Sequence, residues 1–263
     1  MTSATDRTTR CLLVVVAHPD DETFGTGSVL LQAAAEGART VVVCATRGEA
    51  GEVLTGVEVP AGGVAALREA ELHAAAQALG VQQVEVLDFV DSGMAGDPGE
   101  GSLCAADPER VVAAVRGVLD RIRPDVVVTL AADDGHRDHV VVRDAVLAAV
   151  DAAESGASPV RVLLHCLPRS LMHAWVRHQA GNDKAAAYVE LPDIGTPDEA
   201  LTTVVDTSVH YPARTAAIAL HASQASPFDG LPDELHRAFL GADHLVRERP
   251  VWDGGNQEHT LWG

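Results

Sequence analysis

The sequence predicts an α/β protein with a mostly parallel sheet covered by helices on both faces and a less regular C-terminal region. Apolar runs of strand length alternate with segments of helical periodicity, and those runs are apolar on both sides. The even strand-turn spacing of an all-β chain is missing. At 263 residues the chain can bury a sizeable core in one domain. Residues 1–10, MTSATDRTTR, read as a frayed polar tail, and residues 11–263 as a single domain.

Leu12 to Ala17 is a continuous apolar run and the first strand, and Thr23 to Glu36 follows as a helix closed near Gly37. Thr40 to Ala45 is the second buried strand. Val64 to Leu79 has Val64, Leu67, Ala74 and Ala78 on one side at helical spacing, and Gly80 stops it. Val81 to Phe89 supplies a third strand region. The next helix is better marked: Asp107 suits an N-cap, Pro108 the first helical position, and Val111, Val115, Val118 and Ile122 recur on one face before Pro124. Asp125 to Leu130 reads as the fourth strand, Asp138 to Val150 as the fourth helix and Val160 to Cys166 as the fifth strand.

Beyond Arg169 the pattern blurs. Leu201 to Val205 and His244 to Arg249 are strand candidates, and Ala213 to Ala222 and Pro232 to Leu240 are helix candidates. The closing VWDGGNQEHTLWG keeps Trp252 and Trp262, which suits packing over the body. The whole is expected to be a Rossmann-like sheet of strand order 3-2-1-4-5.

Composition narrows the partners. Aromatic residues are only 3% of the chain, so the core must be mostly Val, Leu and Ala. A formal charge of -19 repels phosphate backbones and anionic lipid, which argues against nucleic-acid and membrane-surface roles. Cys11, Cys44, Cys104 and Cys166 form no CxxC pair, and Cys11, Cys44 and Cys166 adjoin apolar runs, as reduced buried thiols do. The run CLLVVVA passes straight into HPDDE without a cleavage pattern, and no run reaches the roughly 20 residues that span a bilayer. The expected compartment is the cytoplasm.

Chemistry concentrates where buried strands end. His18-Pro19-Asp20-Asp21-Glu22 follows the first strand, and Asp133-Asp134-Gly135-His136-Arg137-Asp138-His139 follows the fourth. In the expected strand order these two strands are neighbours whose connections leave toward opposite faces, the usual crevice for a ligand. Zinc accepts imidazole nitrogen and carboxylate oxygen, and a catalytic site uses three protein ligands with one position open. His18, Asp21 and His139 are the set chosen, one Zn2+ per chain, with Asp20 beside it as a base. His139 falls in the first turn of its helix, where the dipole favours the neutral imidazole a metal needs. The plainer alternatives are a helix-capping Asp20 or Asp21 and a histidine with only hydrogen-bonding duties.

At these residues the chain resembles the LmbE/PIG-L family of zinc-dependent N-acetylglucosaminyl deacetylases and related amidases. Ala17 to Glu22 is similar to its AHPDDE signature, and His136-Arg137-Asp138-His139 to its HPDH-type tetrad. Thr46-Arg47-Gly48-Glu49, Arg68-Glu69-Ala70-Glu71, Asp91-Ser92-Gly93-Met94 and His221-Ala222-Ser223-Gln224 resemble further family segments, so the likeness spans roughly residues 11 to 225. It departs at Arg137, where the family usually has proline, and at Asp134, where some sugar-linked members have an aromatic residue.

The resemblance implies His18, Asp21 and His139 as metal ligands and Asp20 as general base. It implies a protonated His136 as oxyanion partner or acid, and Asp138 as the residue that orients an imidazole. Arg47, Glu49 and Arg68 become candidates for substrate contact, and residues 169–263 the substrate-side and closing elements. The expected reaction is hydrolysis of an N-acyl amide, acetyl foremost, on a small-molecule amino sugar or glycoside. A larger thiol-cofactor conjugate or natural-product intermediate is the alternative substrate, and self-association is left open.

Gly93, Gly96, Gly99 and Gly101 mark a loop that suits either a lid or a tolerant surface turn. Trp175, Tyr188 and Trp252 suit sugar stacking or, more simply, packing. A nucleotide-binding module is disfavoured, because HPDDETFGTG is not a glycine fingerprint and its carboxylates would repel a pyrophosphate. A catalytically silent partner-binding protein keeps the same residues and is separated only by assay.

Overall fold

The computed structural model describes residues 9–153, 160–179 and 194–263. Five parallel strands form the expected order, β1 (Cys11–Val16), β2 (Arg39–Cys44), β3 (Gln83–Val86), β4 (Val126–Leu130) and β5 (Arg161–Cys166). The C-terminal region adds β6 (Thr203–Asp206) and β7 (Ala242–Arg249), antiparallel, so the seven-stranded sheet runs β3-β2-β1-β4-β5-β7-β6.

Alternation along β1 feeds two cores, as a strand covered on both faces must. Leu13 and Val15 pack with α4 (Pro108–Ile122) and α5 (Arg137–Ala153), while Leu12, Val14 and Val16 pack with α2 (Gly27–Ala35) and α3 (Gly63–Ala78). A third cluster joins α6 (Arg169–Gln179) to α8 (Asp233–Leu240) through Met172, Phe228 and Phe239. The Asp107 side chain accepts from Glu109 N–H at 3.0 Å, the cap foreseen for α4.

Four expectations change. The single helix over Thr23 to Glu36 is split into α1 (Asp21–Phe24) and α2, with Thr26 at φ -117 and ψ 12 departing from the helix between them. The third strand region shrinks to β3. The helix expected over Ala213 to Ala222 is α7 (Tyr211–Ile218), which releases His221. On α3 the buried face is Arg68, Glu71, Leu72, Ala75 and Ala76, whereas Ala74 and Ala78 are exposed. Two buried charges on that face hide it from any apolar count.

Leu261 is buried and Glu258 pairs with Arg161 and Arg247, so the C-terminal segment packs on the sheet. Trp252 lies under the Arg247 guanidinium at 4.4 Å, a packing role, and Tyr188 lies outside the described residues. Cys11, Cys44 and Cys166 are buried and take part in no disulfide among the described residues. Among the described residues no helix is long and apolar enough to cross a membrane.

Candidate metal centre

Because β1 pairs directly with β4, the loops leaving their carboxyl ends meet. His18 and Asp21 come from the first loop and α1, and His136 and His139 from the start of α5. Nitrogens of His18, His136 and His139 lie within 4.8 Å of one another. Asp21 bridges the outer two: Oδ2 is 3.4 Å from His18 Nδ1, and Oδ1 is 3.3 Å from His139 Nε2. The three residues chosen as ligands are thus brought to one point, with His136 beside them.

Each imidazole is held by its other nitrogen. His18 Nε2 lies 3.1 Å from Asp138 Oδ2 and 3.5 Å from Asp91 Oδ1. His139 Nδ1 lies 2.7 Å from Asp134 Oδ2, while its Nε2 is buried without a hydrogen-bond partner. A buried nitrogen that faces a carboxylate and a second imidazole without a well-formed hydrogen bond fits a cation. The electrostatics agree. Burial alone would lower the pKa of His139, but the Asp21 charge and the Asp134 bond carry it up to about 10. Burial also opposes protonation of His18, yet its bonds to Asp138, Asp21 and Asp91 hold its pKa well above the ordinary imidazole range. Two imidazoles that retain protons here report a strongly negative pocket, and a divalent cation can replace those protons.

Asp20 sits at φ 112, in a region that L residues rarely occupy and that persists only where surrounding bonds enforce it. Thr23 and Phe24 N–H groups donate to its carbonyl, and its own N–H donates to Glu22 at 2.9 Å. Burial pushes its carboxyl up to about 7, even though the Arg68 guanidinium 2.8 Å away pulls it down. Glu22, fully buried, is paired with His221 Nε2 at 2.7 Å. Ser223 donates through N–H and Oγ to Glu71 at 2.8 and 2.6 Å. The HxSQ-like segment therefore braces the first loop and α3 from behind.

Asp138 N–H donates to His136 Nδ1 at 3.2 Å. The lone pair is thereby on Nδ1 and the proton on Nε2. Burial and the neighbouring His18 and His139 charges lower the pKa of His136 to about 4, which favours the neutral imidazole near pH 7.

The three residues expected at the substrate have other contacts. Arg68 is buried and donates to Gly48 O at 2.6 Å, Pro19 O at 2.5 Å and Asp20. Arg47 pairs with Glu69 at 2.8 Å, and Glu49 accepts from Arg47 N–H at 3.2 Å. None of these contacts joins them to the imidazole cluster.

Three contributors were not foreseen. Cys104 donates its thiol to Asp138 Oδ1 at 3.0 Å, Asp91 faces His18, and Asp134 orients His139. Asp91 and Asp134 were visible in family-like segments. Cys104 had no signal, since its partner is 34 residues away.

A cavity of about 590 Å3 has Asp21 and Asp134 in its wall and continues between Phe24, Leu130, Met172, Trp175 and Phe228. Its wall is mainly apolar, with Asp133 held by Thr196 Oγ1 at 2.6 Å.

Fold and site together define an α/β protein with a His/Asp cluster able to coordinate a divalent cation at its switch-point crevice. A family model described as "PIG-L: GlcNAc-PI de-N-acetylase" matches residues 13–150, and the chain belongs to the LmbE/PIG-L family of amidases and deacetylases. It is accordingly an enzyme of the metal-assisted class acting on an N-acyl linkage.

A 1D-myo-inositol 2-acetamido-2-deoxy-alpha-D-glucopyranoside deacetylase from Geodermatophilus obscurus is 34% identical over an alignment of 283 positions, covering 93% of this chain and 95% of its own. One of the same name from Kineococcus radiotolerans is 37% identical over 250, covering 82% and 69%. The fold is shared with N,N'-diacetylchitobiose deacetylase from Pyrococcus horikoshii, at TM-score 0.62, 17% identity and coverage of 95% and 88%. It is shared equally with 4-carboxy-2-hydroxymuconate hydratase from Pseudomonas putida KT2440, at TM-score 0.62, 19% identity and coverage of 94% and 99%. Likeness of fold alone does not select the reaction.

Proposed function

We propose that this chain is a zinc-dependent hydrolase that removes an acyl group, acetyl foremost, from the nitrogen of an amino-sugar-like substrate, releasing a carboxylate and a free amine. The observation that carries it is the buried Nε2 of His139, 3.3 Å from Asp21 Oδ1 and close to the His18 ring. His18, Asp21 and His139 would hold the ion. The two relatives above are named as deacetylases of a 2-acetamido sugar.

Zinc supplies a Lewis acid that polarises an amide carbonyl and makes water a nucleophile near neutral pH. The chain supplies the proton traffic. Asp20, with a pKa near 7, is matched to take a proton from the attacking water and return it to the departing nitrogen. Neutral His136 offers its Nε2–H to the carbonyl oxygen as charge gathers there, where a preplaced donor does most. That division gives the amine its proton from Asp20, since a neutral imidazole has none to spare at pH 7. Arg68 keeps Asp20 in place and limits the rise of its pKa. The likeness to the family supports Arg47 and Glu49 as substrate contacts.

Metal analysis of the purified protein, followed by an amine-release screen over acetylated amino sugars, tests this reading. Stoichiometric zinc with acetate release supports it; metal without amine release removes the sugar claim, and absence of metal uptake removes the mechanism.

The apolar cavity favours a second reading, an amidase for a larger acylamino substrate such as a thiol-cofactor conjugate or natural-product intermediate. A mainly apolar cavity of this size suits a larger apolar substituent on the substrate. Matched glucosaminides carrying acetyl and longer acyl groups discriminate: a rise in kcat/KM with chain length selects the larger substrate.

A further inference from the structure

The tetrad's departure, Arg137, opens α5 at the edge of the metal centre and spends its whole guanidinium on one loop. Nε donates to Gly93 O at 2.7 Å, Nη1 to Gly96 O at 2.9 Å, and Nη2 to Ala95 O at 3.4 Å and to Ser92 O. Ser92 and Gly93 have further bonds on the side facing the site, whereas residues 94–96 lie out at the surface. Gly93, Gly96, Gly99 and Gly101 all have positive φ, residues 94–96 are exposed, and Met94 at 59% exposure buries little. A glycine-rich loop loses much backbone freedom when ordered, so a fork that gathers several of its carbonyls has a large effect on its position.

The same loop reaches the site from its other end. Asp91 Oδ1 lies 3.5 Å from His18 Nε2, and Ser92 N–H donates to Asp138 Oδ2 at 3.0 Å, the oxygen that faces His18 Nε2. Asp91 is itself tied to the loop, accepting from Gly93 N–H at 2.8 Å and Ala50 N–H at 3.2 Å. Ser92 Oγ accepts from Cys104 N–H at 2.9 Å, and the Cys104 thiol donates to Asp138. Arg137 and His18 are thus joined through Ser92, Asp91 and Asp138.

We propose that Arg137 is a positioning residue for the cation: its clamp on residues 92–96 holds Asp91 and Ser92 against His18 and Asp138, so that loop order and metal affinity rise and fall together. This rests on the metal reading of His18, Asp21 and His139. The loop is then a fixed rim rather than a free lid. Removing the clamp leaves all three ligands in the chain but lets the partners of His18 move.

Arg137→Pro is the informative variant. Proline suits the first position of a helix, so α5 keeps its start while the fork disappears. Arg137→Lys keeps the charge but not the planar fork. Amide hydrogen exchange over residues 92–96 of the metal-free protein and zinc affinity by chelator competition are read together, with Tm as a control. The expected result is faster exchange confined to that loop and zinc affinity lowered by about tenfold in Arg137→Pro, with Arg137→Lys between it and wild type and Tm little changed. Unchanged exchange in Arg137→Pro overturns the clamp, and fast exchange with wild-type zinc affinity overturns the coupling. A wild-type protein that takes up no zinc instead defeats the metal reading, which keeps the two failures apart.

Discussion

Asp138 Oδ2 lies 3.1 Å from His18 Nε2 across 120 positions of sequence, and this contact decides which ring nitrogen of His18 remains for a cation. With the Nε2 proton directed at Asp138 and Asp91, Nδ1 faces Asp21. Asp138 can serve because its own oxygens are met by Ser92 N–H and the Cys104 thiol, contacts that with His18 keep its pKa far below the usual carboxylate range despite burial. Asp138→Ala should weaken zinc binding by about 10–100-fold, measured by chelator competition. Unchanged affinity would show that His18 is oriented by something else.

Zinc uptake should release protons. Because His18 and His139 hold their protons above the ordinary imidazole range in the metal-free protein, the ion must displace them, and affinity should rise with pH through neutrality. Calorimetry in buffers of different ionisation enthalpy counts the protons; a pH-independent affinity contradicts the ligand set.

Asp20→Asn should keep zinc while turnover falls by roughly 10²–10⁴-fold, the usual share of a general base. The wild-type acid limb should lie at or below about 7, since a bound cation favours the carboxylate further. The same group predicts stability. Its metal-free folded pKa of about 7 exceeds the ordinary aspartate value of 3.8, so the folded state holds the extra proton. Its contribution is complete below pH 3.8 and is lost as pH rises through about 7. Metal-free Asp20→Asn should therefore gain on wild type in Tm above pH 7, and a Tm difference independent of pH would refute the assignment.

Arg68→Ala removes a buried cation that pulls the Asp20 pKa down, leaving the carboxylate without its partner. Breaking such a pair costs ~3–5 kcal/mol by chemical denaturation, and any residual activity should have its acid limb moved upward. A purely substrate-binding Arg68 would raise KM and leave both quantities alone.

His221 and Glu22 form a pair with both side chains fully buried. Burial lowers the His221 pKa, but the Glu22 hydrogen bond outweighs it and the net shift is upward. The stability from this charge is fully present below the unfolded imidazole pKa and is lost as pH rises through the raised folded value. His221→Ala should flatten that alkaline loss and lower Tm even where wild type is most stable; a wild-type-like pH profile would deny the pair its role.

The strands from Leu12 to Cys166, the cap at Asp107 and the meeting of the β1 and β4 loops were legible because each rests on local apolar pattern or on short chemical clusters. The buried face of α3 was not. Arg68 and Glu71 are inside only because Asp20, Gly48 and Ser223 receive them, and no periodicity reveals a charge neutralised by a distant residue. The roles of Asp91, Asp134 and Cys104, and the clamp of Arg137, depend in the same way on pairings across the fold.

By itself the sequence indicated the parallel strands β1 to β5 and the residue types able to hold a cation, since these follow from apolar pattern and from donor chemistry, but not the antiparallel β7 and β6 that extend the sheet. Only the tertiary structure decided which nitrogen each imidazole presents, which charges are buried and which loop is tied down. Hydrogen-bond geometry and desolvation are properties of groups brought together in space, and the chain order of those groups carries no record of them.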